Sequence, residues 1–216
     1  MIQLYSDSRC PFSHRIRIIL NEKDMDFKIL DVNINARQDL MQLTPYNETP
    51  VLVDDIDKNN KKRDLILTDT NIIAEYIDER FPHPQLMPIE PSEKARMRMA
   101  IHKLEHDLFK HIRFLDNNLA TKEAKIKKEL DKIRKLISSC LDEIAELFAN
   151  NKKMEFFASS SFSLLDVSLL PILWRLSYYE IEVKKTWGAM MKYAESQFDR
   201  PSFLASLTAV ERSMKQ

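Results

Sequence analysis

The stretch "SFSLLDVSLLPILWRL" at residues 161–176 is apolar on nearly every side. A helix that borders water carries polar residues along one face, so this pattern predicts a central helix that is buried all round. Ser163 and Asp166, three residues apart, fit a capping box at the start of this helix. Phe162 and Val167 then occupy the positions of a hydrophobic staple. We expect Pro171 to kink the helix or to remove one of its hydrogen bonds.

The residues around this stretch also have a helical pattern. Apolar residues recur every three or four positions over 97–115 and again over 126–148, with charged residues between them. This spacing predicts two long helices with solvated outer faces. Further helical segments are expected near 184–196 and 202–213. The sequence therefore predicts an all-α C-terminal domain over residues 91–216.

The N-terminal residues have a different pattern. Short β-branched runs alternate with amphipathic segments in the order β-α-β-α-β-β-α, beginning with the strand "IQLYS" and a helix with Pro11 in its first turn. A proline-punctuated segment, "PHPQLMPIE", follows at 82–90 and predicts a linker. We therefore predict an α/β domain over residues 1–81, a linker over 82–90 and the helical domain after it.

The composition excludes several classes of function. The 33 acidic and 33 basic residues balance, which argues against direct DNA binding by this chain alone. The single glycine, Gly188, excludes glycine-rich phosphate loops. Two cysteines give neither a disulfide framework nor a zinc site. No signal peptide and no membrane-spanning run is recognised, so we expect a cytoplasmic protein that does not enter a membrane.

Cys10 is the candidate nucleophile. It precedes Pro11 at the predicted start of the first helix, where backbone N–H groups and the helix dipole lower the pKa of a thiol. Arg9, His14 and Arg15 add positive charge nearby in the sequence. Position 13 is serine, so no resolving cysteine is present for a dithiol cycle. The alternative interpretation is a small side chain at a helix cap without chemistry.

The layout of an α/β domain, a proline linker and a helical domain resembles the glutathione S-transferase superfamily. This resemblance implies a thioredoxin-like N-terminal domain and a cis Pro50 in "ETPVLV" (48–53). It also implies a glutathione-like cleft, whose residues would be Cys10, Thr49, Pro50, Val51, Asp69 and Thr70. Each has a structural alternative, because a cis proline serves the sheet and Asp69 and Thr70 are good helix caps.

A narrower resemblance rests on "AEYIDERFPHPQLMPIEP" (74–91), "FSLLDVSLLPILWRL" (162–176) and "PSFLASLTAVERSMK" (201–215). These segments, with "RIRIILNEK" (15–23), resemble the stringent starvation protein A family. The resemblance implies a bacterial transcription regulator that associates with RNA polymerase holoenzyme and its main sigma factor under stress or starvation. It implies that no transferase activity is required.

The same resemblance implies where partners bind. Phe81, Pro82, His83 and Pro84 would form the polymerase contact, and the alternative interpretation is a rigid interdomain linker. A histidine between two prolines is expected on a stiff, extended backbone that loses little entropy on docking. The chain would form a homodimer or a heterodimer with a paralogue of the same fold. Guanosine tetraphosphate is the ligand implied at a dimer interface, with glutathione less favoured and no cofactor required.

The sequence leaves two rival functions open. One is a glutathione-dependent thiol transferase or dehydroascorbate-type reductase that uses Cys10. The other is a redox sensor in which glutathionylation of Cys10 changes polymerase contact. His102 and His106, with Glu105, lack the order and the third ligand of a metal site, so no metal is expected. Lys61, Lys62 and Arg63 are predicted to lie in a solvated turn.

Overall fold

The structure is a computed structural model, which describes residues 1–32, 37–46, 48–56, 64–151 and 154–215. The chain forms two compact units. The first contains Met1–Gln85 together with Arg200–Ser213, and the second contains Leu86–Asp199 together with Met214–Gln216. No helix among the described residues is long and apolar enough to cross a membrane.

The first unit contains a mixed four-stranded sheet with the strand order β2-β1-β3-β4. Strand β1 pairs parallel with β2 and antiparallel with β3, which pairs antiparallel with β4. This is the predicted thioredoxin-like arrangement, and the predicted element order is confirmed. The elements are β1 (Ile2–Ser6), α1 (Pro11–Glu22), β2 (Phe27–Asp31), α2 (Arg37–Leu43), β3 (Val51–Asp54), β4 (Leu65–Leu67) and α3 (Thr70–Arg80).

Helix α1 lies at the centre of this unit. Pro11 occupies its first turn, where a missing N–H removes no helical hydrogen bond. Every residue from Pro11 to Leu20 is buried, including the polar ones. An apolar cluster in the same unit combines Val32, Leu40 and Val51, and Tyr5 packs against it. Helix α1 therefore places charged side chains inside the unit, where each needs a partner.

The pairing of the strands brings three connections to one edge of the sheet. Tyr5 near the end of β1 lies opposite Val51 at the start of β3. Leu52 in turn lies opposite Leu67 at the end of β4. The loop after β1, the loop before β3 and the loop after β4 therefore meet at this edge. These loops carry Cys10, Thr49–Pro50 and Asp69, respectively, and Thr70 follows Asp69 as the first residue of α3.

The second unit is helical, as predicted. Its helices are α4 (Pro91–Leu104), α5 (Lys110–Asn118), α6 (Ala124–Asn150), α7 (Leu164–Trp174) and α8 (Gly188–Phe198), the last preceded by a 3-10 turn at Lys185–Trp187. The helix predicted over 97–115 is interrupted by a π-helical turn at Glu105–Phe109. Its apolar spacing continues across that turn, which explains why the pattern did not reveal it.

Helix α7 confirms the prediction of a central buried helix, because all of its residues are buried. The capping box is present, with the Ser163 N–H donating to Asp166 Oδ2 at 2.8 Å and the Leu165 N–H donating to Ser163 Oγ at 3.3 Å. The two staple residues, Phe162 and Val167, are also buried.

The last helices are α9 (Pro201–Ser206) and α10 (Ala209–Arg212), and both lie in the first unit. The domain boundaries predicted from the sequence, which assign these helices to the helical domain, stay a prediction. Two sets of polar contacts join this segment to α1. Glu211 pairs with Arg17, and Arg200 pairs with Glu22. Periodicity describes each helix separately, so it carries no information about these contacts.

Candidate functional site

Cys10 is the N-cap residue of α1. Its side chain is largely buried, and its Sγ lies 3.8 Å from the backbone carbonyl oxygen of Thr49, to which it donates. The Cys10 carbonyl accepts the His14 N–H at 3.0 Å, which begins the helix. The structure thus places the thiol beside the loop that precedes β3, as the predicted cleft requires.

The Thr49–Pro50 peptide bond is cis, which confirms the prediction for Pro50. Val51 follows as the first residue of β3 and is completely buried. Its side chain belongs to the apolar cluster of the unit, so only its backbone is suited to ligand contact. Thr49 is half-buried and presents its carbonyl to the thiol.

Asp69 acts as a helix cap. Its Oδ1 accepts the N–H groups of Asn71 at 2.9 Å and Ile72 at 3.0 Å. Thr70 is buried as the first residue of α3. The structural alternative considered for Asp69 is therefore observed, and a role in holding a ligand stays a prediction.

Two basic residues near Cys10 in the sequence contact other groups. The His14 ring is buried, with Nε2 2.8 Å from Ser206 Oγ and Nδ1 3.8 Å from Glu211 Oε1. Arg15 donates from Nη2 to Asn71 Oδ1 at 2.8 Å and so connects α1 to the first turn of α3. This contact links the helix that carries Cys10 to the helix that Asp69 caps.

The second candidate site is the proline loop, defined here as Phe81–Pro84. Pro82, His83 and Pro84 are exposed, and Phe81 is half-buried. The His83–Pro84 peptide bond is cis, and the backbone bends at Phe81, His83 and Pro84. The extended backbone expected from the sequence is therefore not observed, whereas the exposure of the loop agrees with a contact surface.

A buried ion pair supports the proline loop. Lys23, directly after α1, donates from Nζ to Asp78 Oδ1 and to the Pro84 carbonyl, each at 2.5 Å. The Lys23 side chain is completely buried. Sequence reasoning did not identify this contact, although Lys23 and Asp78 both lie in segments that resemble the stringent starvation protein A family.

A second cluster lies at the other end of the loop. Arg80 Nε is 2.8 Å from Oδ2 of the buried Asp54, which also accepts the Tyr76 hydroxyl at 2.6 Å. The Arg80 guanidinium lies 5.4 Å from the centre of the Phe81 ring. Burial raises the pKa of Tyr76 to about 12, with the hydrogen bond to Asp54 and the Asp54 charge acting in the same direction. Phe81 and Pro84 thus each contact an ion pair.

No group of three or more metal-binding side chains lies together among the residues that the structure describes. His102 and His106 are exposed, and His106 Nδ1 is 2.9 Å from Asp107 Oδ1. Lys61, Lys62 and Arg63 lie outside the described residues, so their predicted place in a turn stays a prediction.

Comparison with known proteins identifies the family. Residues 9–80 match the model for the glutathione S-transferase N-terminal domain, and residues 127–212 match the model for its C-terminal domain. A stringent starvation protein A homologue from Haemophilus ducreyi is 34% identical over 209 residues, which are 96% of this chain and 90% of that protein.

More distant relatives are glutathione transferases. Glutathione S-transferase omega-1 from Rattus norvegicus is 29% identical over 181 residues, which are 83% of this chain and 69% of that protein. A glutathione transferase homologue from Lodderomyces elongisporus, solved with two glutathione molecules per subunit, superposes with a TM-score of 0.83 at 18% identity. That alignment covers 95% of this chain and 97% of the other. The chain belongs to the stringent starvation protein A family and has the glutathione S-transferase fold.

Proposed function

We propose that this chain is a cytoplasmic transcription regulator that associates with RNA polymerase holoenzyme and its sigma factor under stress or starvation. It acts through a transferase fold and needs no catalysis. The observation that carries the proposal is the proline loop, in which Pro82, His83 and Pro84 are exposed. The buried Lys23, which is paired with Asp78, donates to the Pro84 carbonyl from inside the unit. A surface that is already ordered loses little entropy when a partner binds.

The proposal includes a dimer, either with a second copy or with a paralogue of the same fold. Ile66 on the edge strand β4 and Ile72 on α3 are large apolar residues that are 38% and 58% exposed, respectively. In the proposed dimer, the burial of these two side chains against the second subunit would remove apolar surface from water. Guanosine tetraphosphate remains the proposed ligand of a dimer interface, and no cofactor is part of the proposal.

Two experiments test the proposal: affinity purification of the tagged wild-type chain from cells, and a holoenzyme-binding assay with a double variant of the loop, His83→Ala with Pro84→Ala. We expect this variant to fold normally, because both side chains are exposed, and to lose at least about tenfold in binding to purified holoenzyme. His102→Ala, a change of another exposed histidine, is the matched control and should bind like wild type. The co-purified proteins also report a second copy or a paralogue.

Unchanged holoenzyme binding by the loop variant would contradict the assigned surface. The absence of polymerase from the wild-type purification, under starvation as well as growth, would contradict the function itself.

A second candidate function is glutathione-dependent thiol transfer. The observation that favours it is the Cys10 thiol, 3.8 Å from the Thr49 carbonyl next to the cis Pro50. The thiol lies at the N-terminus of a 12-residue helix, whose positive dipole end would stabilise negative charge that forms on the sulfur during transfer. Its decisive test is Cys10→Ser, which should abolish any glutathione-dependent thiol transfer measured for wild type.

A further inference from the structure

The ion pair between Lys23 and Asp78 is unusual because both charged side chains are buried, with exposures of 0% and 6%. Lysine is among the residues least often fully buried, and a buried ammonium group requires close partners. Here Lys23 Nζ has two oxygen acceptors at 2.5 Å, one from α3 and one from the Pro84 carbonyl. The pair therefore joins the end of α1, a buried position of α3 and the proline loop.

The backbone around Lys23 holds the ammonium group in place. The Lys23 N–H donates to the Ile19 carbonyl at 2.9 Å, so the residue continues the hydrogen bonding of α1. Asp78 is fixed in the last turns of α3, between the buried Ile77 and the exposed Arg80. Because Lys23 and Asp78 are both attached to helices, the fold, and not the loop, sets the position of the ammonium group that donates to the Pro84 carbonyl.

Replacing a buried ion pair by apolar residues of similar size often leaves stability unchanged, whereas removing one partner is costly. What this pair adds to an apolar replacement is a donor for the Pro84 carbonyl, which Lys23 Nζ supplies. We infer that Lys23 and Asp78 are positioning residues that hold Pro84, and with it His83, in the arrangement that binds the partner. This inference rests on the proposed function for its binding readout.

The experiment uses the full chain with Lys23→Met and Asp78→Leu together. We expect its melting temperature to stay close to that of wild type, while the His83 ring signals shift in ¹H–¹³C NMR spectra. The five histidines make this spectrum simple, and His83→Gln assigns the signal. Binding to purified holoenzyme should weaken about tenfold, the scale expected when an ordered surface becomes mobile.

Glu22→Gln is the matched control. Glu22 precedes Lys23 and forms its own ion pair, with Oε2 accepting from Arg200 Nε at 2.9 Å and from Ser202 Oγ at 2.5 Å. This variant removes one charge beside Lys23 without removing a contact to the loop. We expect its His83 signal and its holoenzyme binding to match wild type.

The outcomes separate the inference from the proposed function. A double variant whose His83 signal and holoenzyme binding both match wild type overturns the inference. If wild type itself does not bind holoenzyme, the proposed function fails, and a shifted His83 signal still supports the positioning role. If the double variant does not fold, Asp78→Asn serves instead: it removes one charge, and an unmoved His83 signal there overturns the inference.

Discussion

Cys10 illustrates how one residue can satisfy two functions at the residue scale. As the N-cap of α1 it supplies the carbonyl that accepts the His14 N–H, which any residue with this backbone would do. Its thiol adds a contact to the Thr49 carbonyl, which few other side chains could make. The sequence predicted its place at the start of α1, whereas a cleft shared with Thr49 was implied only by the resemblance to glutathione S-transferases. In the structure the two loops meet because β1 pairs with β3.

The prediction for this residue concerns Cys10→Ser. If catalysis is dispensable, the variant binds holoenzyme as wild type does, with or without oxidant, because the proline loop is unchanged. Glutathione-dependent thiol transfer by wild type that disappears in the variant would instead establish the enzymatic alternative. An effect on holoenzyme binding under oxidant alone would favour a redox sensor.

Cys140→Ser is the control for oxidation elsewhere in the chain. Cys140 Sγ donates to the Asp107 carbonyl at 3.0 Å, and burial with nearby acidic charge raises the pKa of its thiol. A thiol with a raised pKa reacts slowly at neutral pH, so this variant should behave like wild type with oxidant present.

Helix α7 shows what a single element contributes to the second unit. Asp166 is buried and accepts four hydrogen bonds, which come from the N–H groups of Phe157 and Ser163 and the hydroxyls of Ser163 and Tyr193. Burial raises the pKa of Asp166, and these hydrogen bonds act against that rise. The cap therefore ties the start of the helix to the segment before it and to α8.

Asp166→Ala should lower the free energy of unfolding by about 3 kcal/mol or more, because it leaves several buried donors without an acceptor. Urea unfolding followed by circular dichroism measures this loss. Asp69→Ala is the comparison, since Asp69 is an exposed cap that accepts two backbone N–H groups. Its expected cost is about 1 kcal/mol. If the two variants lose the same free energy of unfolding, the burial of Asp166 does not account for its contribution to stability.

At the scale of the whole molecule, the first unit is made from both ends of the chain. Glu211 is fully buried, and both of its carboxylate oxygens accept from Arg17 Nη2 at 2.6 Å. Arg17 also donates from Nε to the Ser206 carbonyl at 2.9 Å. The sequence carried a hint in Thr208 and Glu211, which form a second capping box. The capping box predicts where α10 begins, but it does not reveal that Glu211 pairs with Arg17.

Glu211→Gln should destabilise the first unit by about 3–5 kcal/mol, because it leaves the buried Arg17 without its counter-charge. Faster hydrogen exchange of the α1 amides would show this loss of stability in the first unit directly. Glu143→Gln is the control, since Glu143 forms an exposed pair with Lys103 at 3.0 Å that contributes little. If the α1 amides of Glu211→Gln exchange at the wild-type rate, the Arg17–Glu211 pair does not stabilise the first unit.

Local patterns were sufficient for the order of strands and helices, the buried α7 with its capping box, and the loops that carry Cys10 and Thr49. These features depend on the spacing of residues and on their neighbours in the sequence, both of which can be read without the structure. The contacts of Lys23 with Asp78 and Pro84, and of Arg17 with Glu211, join residues up to 194 positions apart. Lysine, arginine and acids are normally solvated, so nothing local distinguishes a charge that will be buried. Burial and pairing arise when the chain packs, and for that reason the support beneath the proline loop became visible only in the folded protein.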